Sequence, residues 1–430
     1  MSIFDANLPL APFLFVGYLV ALSWLLTRMN FFRSSGLTRM QLILIFLGKV
    51  AVGIFYGWVG IYYAKTANMT DTWLFHAGGL QEENLLLHDP VRFFTELFTD
   101  PYDDGRWKLL GTENSYWNDL KENALIKGLA ILNLLTGGHY LVNVLFFNFF
   151  GMLGVVCFYR VLIDRYPLQK TAAGLAAILL PSVLFWTSGI HKEGILFTAL
   201  GSILYATYFS IQKKHWSWKR ILALTLALLL ILVFRNHLLF VLLPALLLWG
   251  LLERVPYKKG WITVGLYSLL VLLFFISPYL HSKTDLPAAV VRKQQEFLKL
   301  KGKSSLEVTQ LDPSPIGFLK NLPQSLDMAL TRPHAKNVRH LLSLAAFLEV
   351  ILWGVILFLW IRFRDRSNKW PDQPIDYFLL TFSVSAILII GFSINNLGAI
   401  ARYRSIVLAP LLAPLLAGID WKRLSRWLKN

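Results

Sequence analysis

Asp71 is the side chain in this sequence best placed to move a proton. It stands in NMTDTWLFHAGG, after one apolar run and before an aromatic-rich segment. A carboxylate at a membrane boundary, shielded by Trp73 and Phe75, is expected to have a raised pKa and to accept a proton from a hydroxyl. The position also suits a helix N-cap, with Asp71 opening a helix that runs through Thr72 to Gly78, and one residue can serve both roles. His76 follows one helical turn later, on the face of Asp71 or Thr72, where a lone histidine more often packs or hydrogen-bonds than reacts. Four cations complement the carboxylate: Lys192 in TSGIHKEG, Arg235 in FRNH, and Arg402 and Arg404 in GAIARYR. Their chemistry is stabilisation of negative charge, a lipid phosphate being the natural anion. The plainer role for each alone is snorkelling to head groups or pairing with a local carboxylate such as Glu193.

Other chemistries lack their spacing. The nine histidines include no HxxxH or HExxH pair, and the one cysteine, Cys157, lies inside an apolar run. Neither a metal site nor a disulfide framework is expected. No P-loop or dinucleotide fingerprint occurs, so no cofactor is expected either. Lys49 and Glu349 are the charges set deepest in apolar runs. They are expected to pair with each other or to face a water-filled cavity, as in a transport path.

These side chains need elements that hold them at the edge of a bilayer. The 430 residues are 56% hydrophobic and 16% charged, with mean hydropathy +0.53, whereas a soluble domain is about 45–50% apolar and about 25% charged. An ordinary soluble globular protein is excluded. Apolar runs recur from end to end and predict an all-α polytopic membrane protein, with residues 1–430 as a single membrane domain. About eleven transmembrane helices are expected, at 8–27, 41–63, 139–160, 171–187, 194–210, 217–234, 237–252, 261–280, 341–361, 375–394 and 404–419. Residues 221–252 are read as two spans meeting near Arg235-Asn236-His237, because one helix would put Lys213-Lys214 and Lys258-Lys259 on opposite sides. Gly48, Gly53, Gly57 and Gly60 give the second span a small-residue face for close helix packing.

The net charge of +17 comes from short clusters between apolar runs, so nucleic acid is not an expected partner. Six alternate connections hold 21 of the 42 Lys and Arg residues. The positive-inside rule places those connections and the C-terminus in the cytoplasm and the N-terminus outside, in the plasma (inner) membrane. The first twenty residues hold no basic n-region, and the first apolar run is expected to stay as an anchor. Two long outer loops remain. Residues 65–127 are acidic and carry expected surface helices, at Val91–Phe98, with Phe93, Phe94, Leu97 and Phe98 on one side, and at Ala124–Leu135. Residues 281–340 are basic.

This layout resembles the GT-C superfamily of glycosyltransferases. The matching residues are Asp71 in the first large outer loop and a late Arg402-Tyr403 pair followed by Pro410 and Pro414. The stretch PSVLFWTSGIHKEG, residues 181–194, also looks like a segment of bacterial envelope-polysaccharide membrane proteins. The chain differs in having one span more before the loop and in Thr72, not a second acid, beside Asp71. The resemblance implies a GT-C-like fold with interfacial helices in the first outer loop, and transfer of a sugar from a polyprenyl-phosphate or polyprenyl-diphosphate carrier on the extracytoplasmic side. The acceptor would be a glycan, lipid or protein. Asp71 would deprotonate the acceptor, and Lys192, Arg235, Arg402, Tyr403, Arg404, His76 and His191 would bind substrate. A divalent metal has no support beyond the resemblance itself. The alternatives are an envelope polysaccharide or O-antigen-type polymerase, whose long basic outer loop would be 281–340, and a transporter or flippase of lipid-linked glycans.

Overall fold

The computed structural model describes residues 10–63, 71–101, 115–167, 174–176, 179–255, 257–280, 285–300, 304–365 and 370–429. Among them the chain is helical throughout, and β-structure is limited to isolated bridges. In chain order the helices are α1 Ala11–Arg28, α2 Asn30–Arg33, α3 Arg39–Tyr62, α4 Asp71–His88, α5 Pro90–Thr95, α6 Tyr116–Thr136, α7 Tyr140–Arg165, α8 Pro181–Ser188 and α9 Lys192–Gln212. There follow α10 Trp218–Arg235, α11 Leu239–Arg254, α12 Lys259–Leu280, α13 Leu286–Lys299, α14 Pro315–Leu326, α15 Leu341–Phe363, α16 Pro374–Ser393, α17 Leu397–Ala417 and α18 Trp421–Lys429.

Nine helices among the described residues are long and apolar enough to cross a membrane. Their outward sides need lipid: only 6% of the apolar window of α12 and 11% of that of α1 is buried, against 72% in α7 and α17. An apolar rim around buried helices is the pattern of a polytopic membrane protein. The count departs from the expected eleven at two places. The span expected at 171–187 lies partly outside the described residues, and its described end is the eight-residue helix α8. The spans expected at 217–234 and 237–252 are joined without a loop, as 37 residues of helical backbone passing through a 3₁₀ turn at Asn236–Leu238. Arg235-Asn236-His237 contains neither glycine nor proline, and the tighter hydrogen bonding of a 3₁₀ turn keeps the backbone paired there.

The chain divides into two compact units, one of residues 1–170 and 177–236, the other of 171–176 and 237–430. In the first, α1, α2, α3 and α7 share a core that includes Leu26, Phe46, Leu145 and Met152. Helix α9 lies against α7 and α10, and α4 lies on α6. Between α3 and α7 the buried Lys127 of α6 anchors α5 and its 3₁₀ extension, reaching Glu82 at 2.6 Å and Glu96 at 3.3 Å beneath the Phe93 ring. Arg92 and then Lys127 hold the Glu96 carboxyl below the usual carboxylate range. Phe93 is therefore turned inward, while Phe94 and Phe98 are exposed, so the expected single aromatic face of Val91–Phe98 is split between two directions. In the second unit, α16 lies against α11, α17, α13 and α14, with Trp249 and Phe378 at 5.1 Å.

Helix α8 ends inside the first unit. Its last carbonyls have no partner within the helix. Lys49 supplies one, its Nζ donating to the Thr187 carbonyl at 3.2 Å and to the Thr187 and Ser188 hydroxyl oxygens at 3.0 Å. The Asn148 amide donates to the Ser188 carbonyl at 2.8 Å. A cation at a helix C-terminus also meets the negative end of the helix dipole. Lys49 thus finds its partners within its own unit, and Glu349 faces Arg404 in the other.

Gly53 and Gly57 do form the close-packing face read from the sequence: a Cβ at Gly53 would lie 2.5 Å from the Ser188 carbonyl oxygen, and one at Gly57 2.6 Å from the Tyr140 ring. Gly48 has nothing within 4 Å. Gly53→Ala should lower the thermal unfolding midpoint in detergent, at a cost of about 1–3 kcal/mol from overpacking. Gly48→Ala should leave it unchanged or raise it slightly.

Candidate active site

The loop between α8 and α9 is only three residues, Gly189 to His191, and it is built to be rigid. A Cβ at Gly189 would fall 2.3 Å from the Tyr56 ring, so glycine is needed for the loop to lie against α3. Tyr56, Phe75 and Trp186 then surround the His191 imidazole, with ring centroids 5.9 to 6.4 Å away. Helix α4 is brought over this loop by its first turn. The Thr72 hydroxyl and the Tyr140 hydroxyl share a hydrogen bond of 2.9 Å, and the Trp73 indole donates to the Gly57 carbonyl at 2.9 Å while stacking on Tyr140 at 4.0 Å. Asp71 lies in the first turn of α4 and the helix runs beyond Gly78 to His88, while the N-cap position falls outside the described residues.

These constraints place four ionisable groups in a row. Asp71 Oδ2 lies 3.4 Å from His191 Nε2. The other ring nitrogen, Nδ1, is hydrogen-bonded to Glu193 Oε2. Glu193 Oε1 accepts from the Arg235 guanidinium at 2.5 Å. The row runs from a partly open end to a closed one. The Asp71 side chain is 43% exposed and that of His191 3%, whereas Glu193 has no exposed surface and Arg235 is buried. Glu193 sits in the first turn of α9, where the helix dipole favours an anion. With its two oxygens held by different partners, it cannot rotate without breaking a charged hydrogen bond, and so it fixes the ring orientation of His191.

Charge counting defines what the row can do. Asp71 and Glu193 contribute two negative charges and Arg235 one positive, so the group is neutral with His191 doubly protonated and carries one negative charge with a single ring proton. A proton taken up at the open end while His191 holds a single ring proton therefore leaves the row neutral. An imidazole oriented by one carboxylate and facing a second, accessible one is the arrangement of a general base with its positioning partner.

The other expected substrate-binding residues fall in three places. Lys192 stands beside the row, its Nζ 3.2 Å from Glu122 and 5.1 Å above the Phe75 ring. Glu122 is half-exposed while the Lys192 side chain is largely buried, so solvent reaches the pair from the carboxylate side only. His76 is buried on α4 against Trp73 and Tyr140. Arg402, Tyr403 and Arg404 belong to the other unit. There the buried Arg404 donates to the carbonyls of Ala329 and Arg332, at 3.3 and 2.9 Å, and covers the Trp353 ring, while Arg402 lies over Tyr403. Of the expected set, the structure brings Asp71, His191, Lys192 and Arg235 together.

Sequence reasoning treated Glu193 only as a local counter-ion for nearby cations, although it is the centre of the row. The available signal was an acid two residues after a histidine at the start of an apolar run. Among the described residues no group of three or more His, Cys, Asp or Glu side chains is arranged to hold a metal ion. No family model, curated protein or solved structure matches the chain.

Removing one partner of a buried ion pair strands the other charge, at about 3–5 kcal/mol. Arg235→Met should therefore lower unfolding stability by about that amount. The double variant Glu193→Gln, Arg235→Met should recover a substantial part of the loss. A double-mutant cycle in chemical denaturation measures both, and additive losses would remove the ion pair from the account.

Proposed function

We propose that this protein transfers a sugar from a polyprenyl-phosphate or polyprenyl-diphosphate carrier to a glycan, lipid or protein acceptor, at the extracytoplasmic face of the plasma membrane. The observation that carries this reading is the row Asp71–His191–Glu193–Arg235, which has an accessible carboxylate at one end and a buried compensating charge at the other. In this reading Asp71 accepts the proton of the acceptor hydroxyl as the oxygen attacks C1 of the sugar. The bond from C1 to the carrier phosphate oxygen breaks, and the phosphate leaves with its electron pair. His191, Glu193 and Arg235 position Asp71 and compensate the added proton. Lys192, beside the row, meets the negative charge that builds on the departing phosphate. A fixed donor at such a point typically contributes about 2.7–4 kcal/mol to lowering the barrier.

Arg235 changes role relative to the sequence reading, from phosphate contact to positioning residue, because its guanidinium is committed to a buried carboxylate. The membrane setting also supports the reading. An enzyme outside the cytoplasm needs a lipid-borne donor, and apolar helix surfaces flank the first unit, as the low burial of α1 indicates. The basic clusters at 28–39, 160–165 and 213–220 lie at the ends of α1, α7 and α9 away from Asp71, consistent with a cytoplasmic location for those ends. The transport alternative loses a supporting group, since Lys49 serves the end of α8.

The purified protein would be assayed with a polyprenyl-phosphate sugar. Asp71→Asn should reduce kcat by about 10²–10⁴-fold, the range of general-base contributions, with KM for the carrier little changed. Lys192→Met should weaken the reaction mainly through the phosphate. Full turnover in a folded Asp71→Asn variant sinks the proposal. Labelling of cysteines introduced at Glu83 and at Lys214 in intact cells should reach only the former from outside, and the reverse pattern would refute the assigned sidedness.

A further inference from the structure

We propose that α18, Trp421–Lys429, is a binding site for the headgroups of anionic phospholipids, independent of the transferase reading. The nine residues WKRLSRWLK contain no acid. On a helical wheel of about 100° per residue, Trp421, Leu424, Trp427 and Leu428 form one continuous arc and Lys422, Arg426 and Lys429 the opposite one. Among the described helices this one has the most strongly segregated faces.

Its position follows from backbone bonds to the ends of two membrane-spanning helices. The Asp420 amide donates to the Phe363 carbonyl at 2.8 Å, and the Asp365 amide donates to the Gly418 carbonyl at 2.9 Å. Leu424 is buried against Phe363 and Ile419, and Trp427 meets the Phe363 ring at 5.5 Å. The helix is thereby tied where α15 and α17 end, which is the level of the membrane surface.

The apolar arc is only partly covered by this packing. Trp427 remains 56% exposed and Leu428 69%, on the arc opposite the cations. Trp421, Lys422, Ser425 and Arg426 lie together on an open surface. Cations at i, i+4 and i+7 on one arc and exposed tryptophan and leucine on the other suit an occupant that is both anionic and apolar. Free phosphate supplies the charge alone. A phospholipid supplies the phosphate to Lys422, Arg426 and Lys429 and acyl or glycerol surface to Trp427 and Leu428, the pattern of an interfacial basic amphipathic helix.

The full-length protein in neutral detergent, carrying an environment-sensitive fluorophore on Asn430→Cys, tests this; the native Cys157 is buried. The fluorophore should respond saturably to phosphatidylglycerol and weakly to phosphatidylcholine. In Lys422→Gln, Arg426→Gln, Lys429→Gln the phosphatidylglycerol midpoint should rise about a hundredfold, at about fivefold per cation. The charge-retaining set Lys422→Arg, Arg426→Lys, Lys429→Arg should stay near the parent. Raising salt from about 50 to about 500 mM should weaken the phosphatidylglycerol response of the parent protein, a readout that needs no variant. Equal responses to the two lipids, an unmoved midpoint in the charge-removed set, or saturation by millimolar inorganic phosphate alone would each overturn the proposal.

Discussion

A carboxylate with no exposed surface has lost its hydration and must be compensated where it lies. Glu193 is in that position. One of its oxygens accepts from Arg235 at the end of α10, the other is bonded to His191 in the loop before α9. The Coulomb attraction is strong because burial keeps the effective dielectric low, and the same burial makes an uncompensated charge costly. Three segments of the first unit are consequently locked to one side chain, and the His191 ring can face Asp71 in only one way.

The loop that carries His191 is affordable because a helix ends inside the protein and its exposed carbonyls are answered. Non-helical backbone at membrane depth is tolerated only where protein buries it and its polar groups find partners. Lys49, Asn148 and the glycine at 53 provide those conditions for Ser188 and Gly189. The buried polar residues of this unit therefore divide by task. Lys49 and Asn148 close off a helix end, while Glu193 and Arg235 aim a titratable ring at a carboxylate that solvent can reach.

The arginines of α17 illustrate a different use of the same chemistry. Arg404 donates to the carbonyls of Ala329 and Arg332 across a π-helical turn at Asp327–Thr331 and lies on the Trp353 ring. Such contacts tie the segment between α14 and α15 to α17. A cation in a membrane helix thus stands as readily for architecture as for ligand binding, and its partners distinguish the two. Lys192 has a half-exposed partner in Glu122, whereas Arg235 and Arg404 are buried.

Hydropathy and helical period made the membrane class, most spans and the helix from Asp71 onward legible, because these depend on averages over many residues along the chain. The small-residue face of α3 was readable for the same reason, since glycines recurring on one side of a helix leave room whatever occupies it. Spacing could not reveal that Lys49 serves α8, that Arg235 pairs with Glu193, that Phe93 turns inward beneath Lys127, or that helical backbone continues through Asn236. Each of these depends on which group meets another across a distance of tens of residues. A buried charge selects its partner by proximity and desolvation, both properties of the folded chain, whereas a hydrophobic run needs only its own length to enter a bilayer.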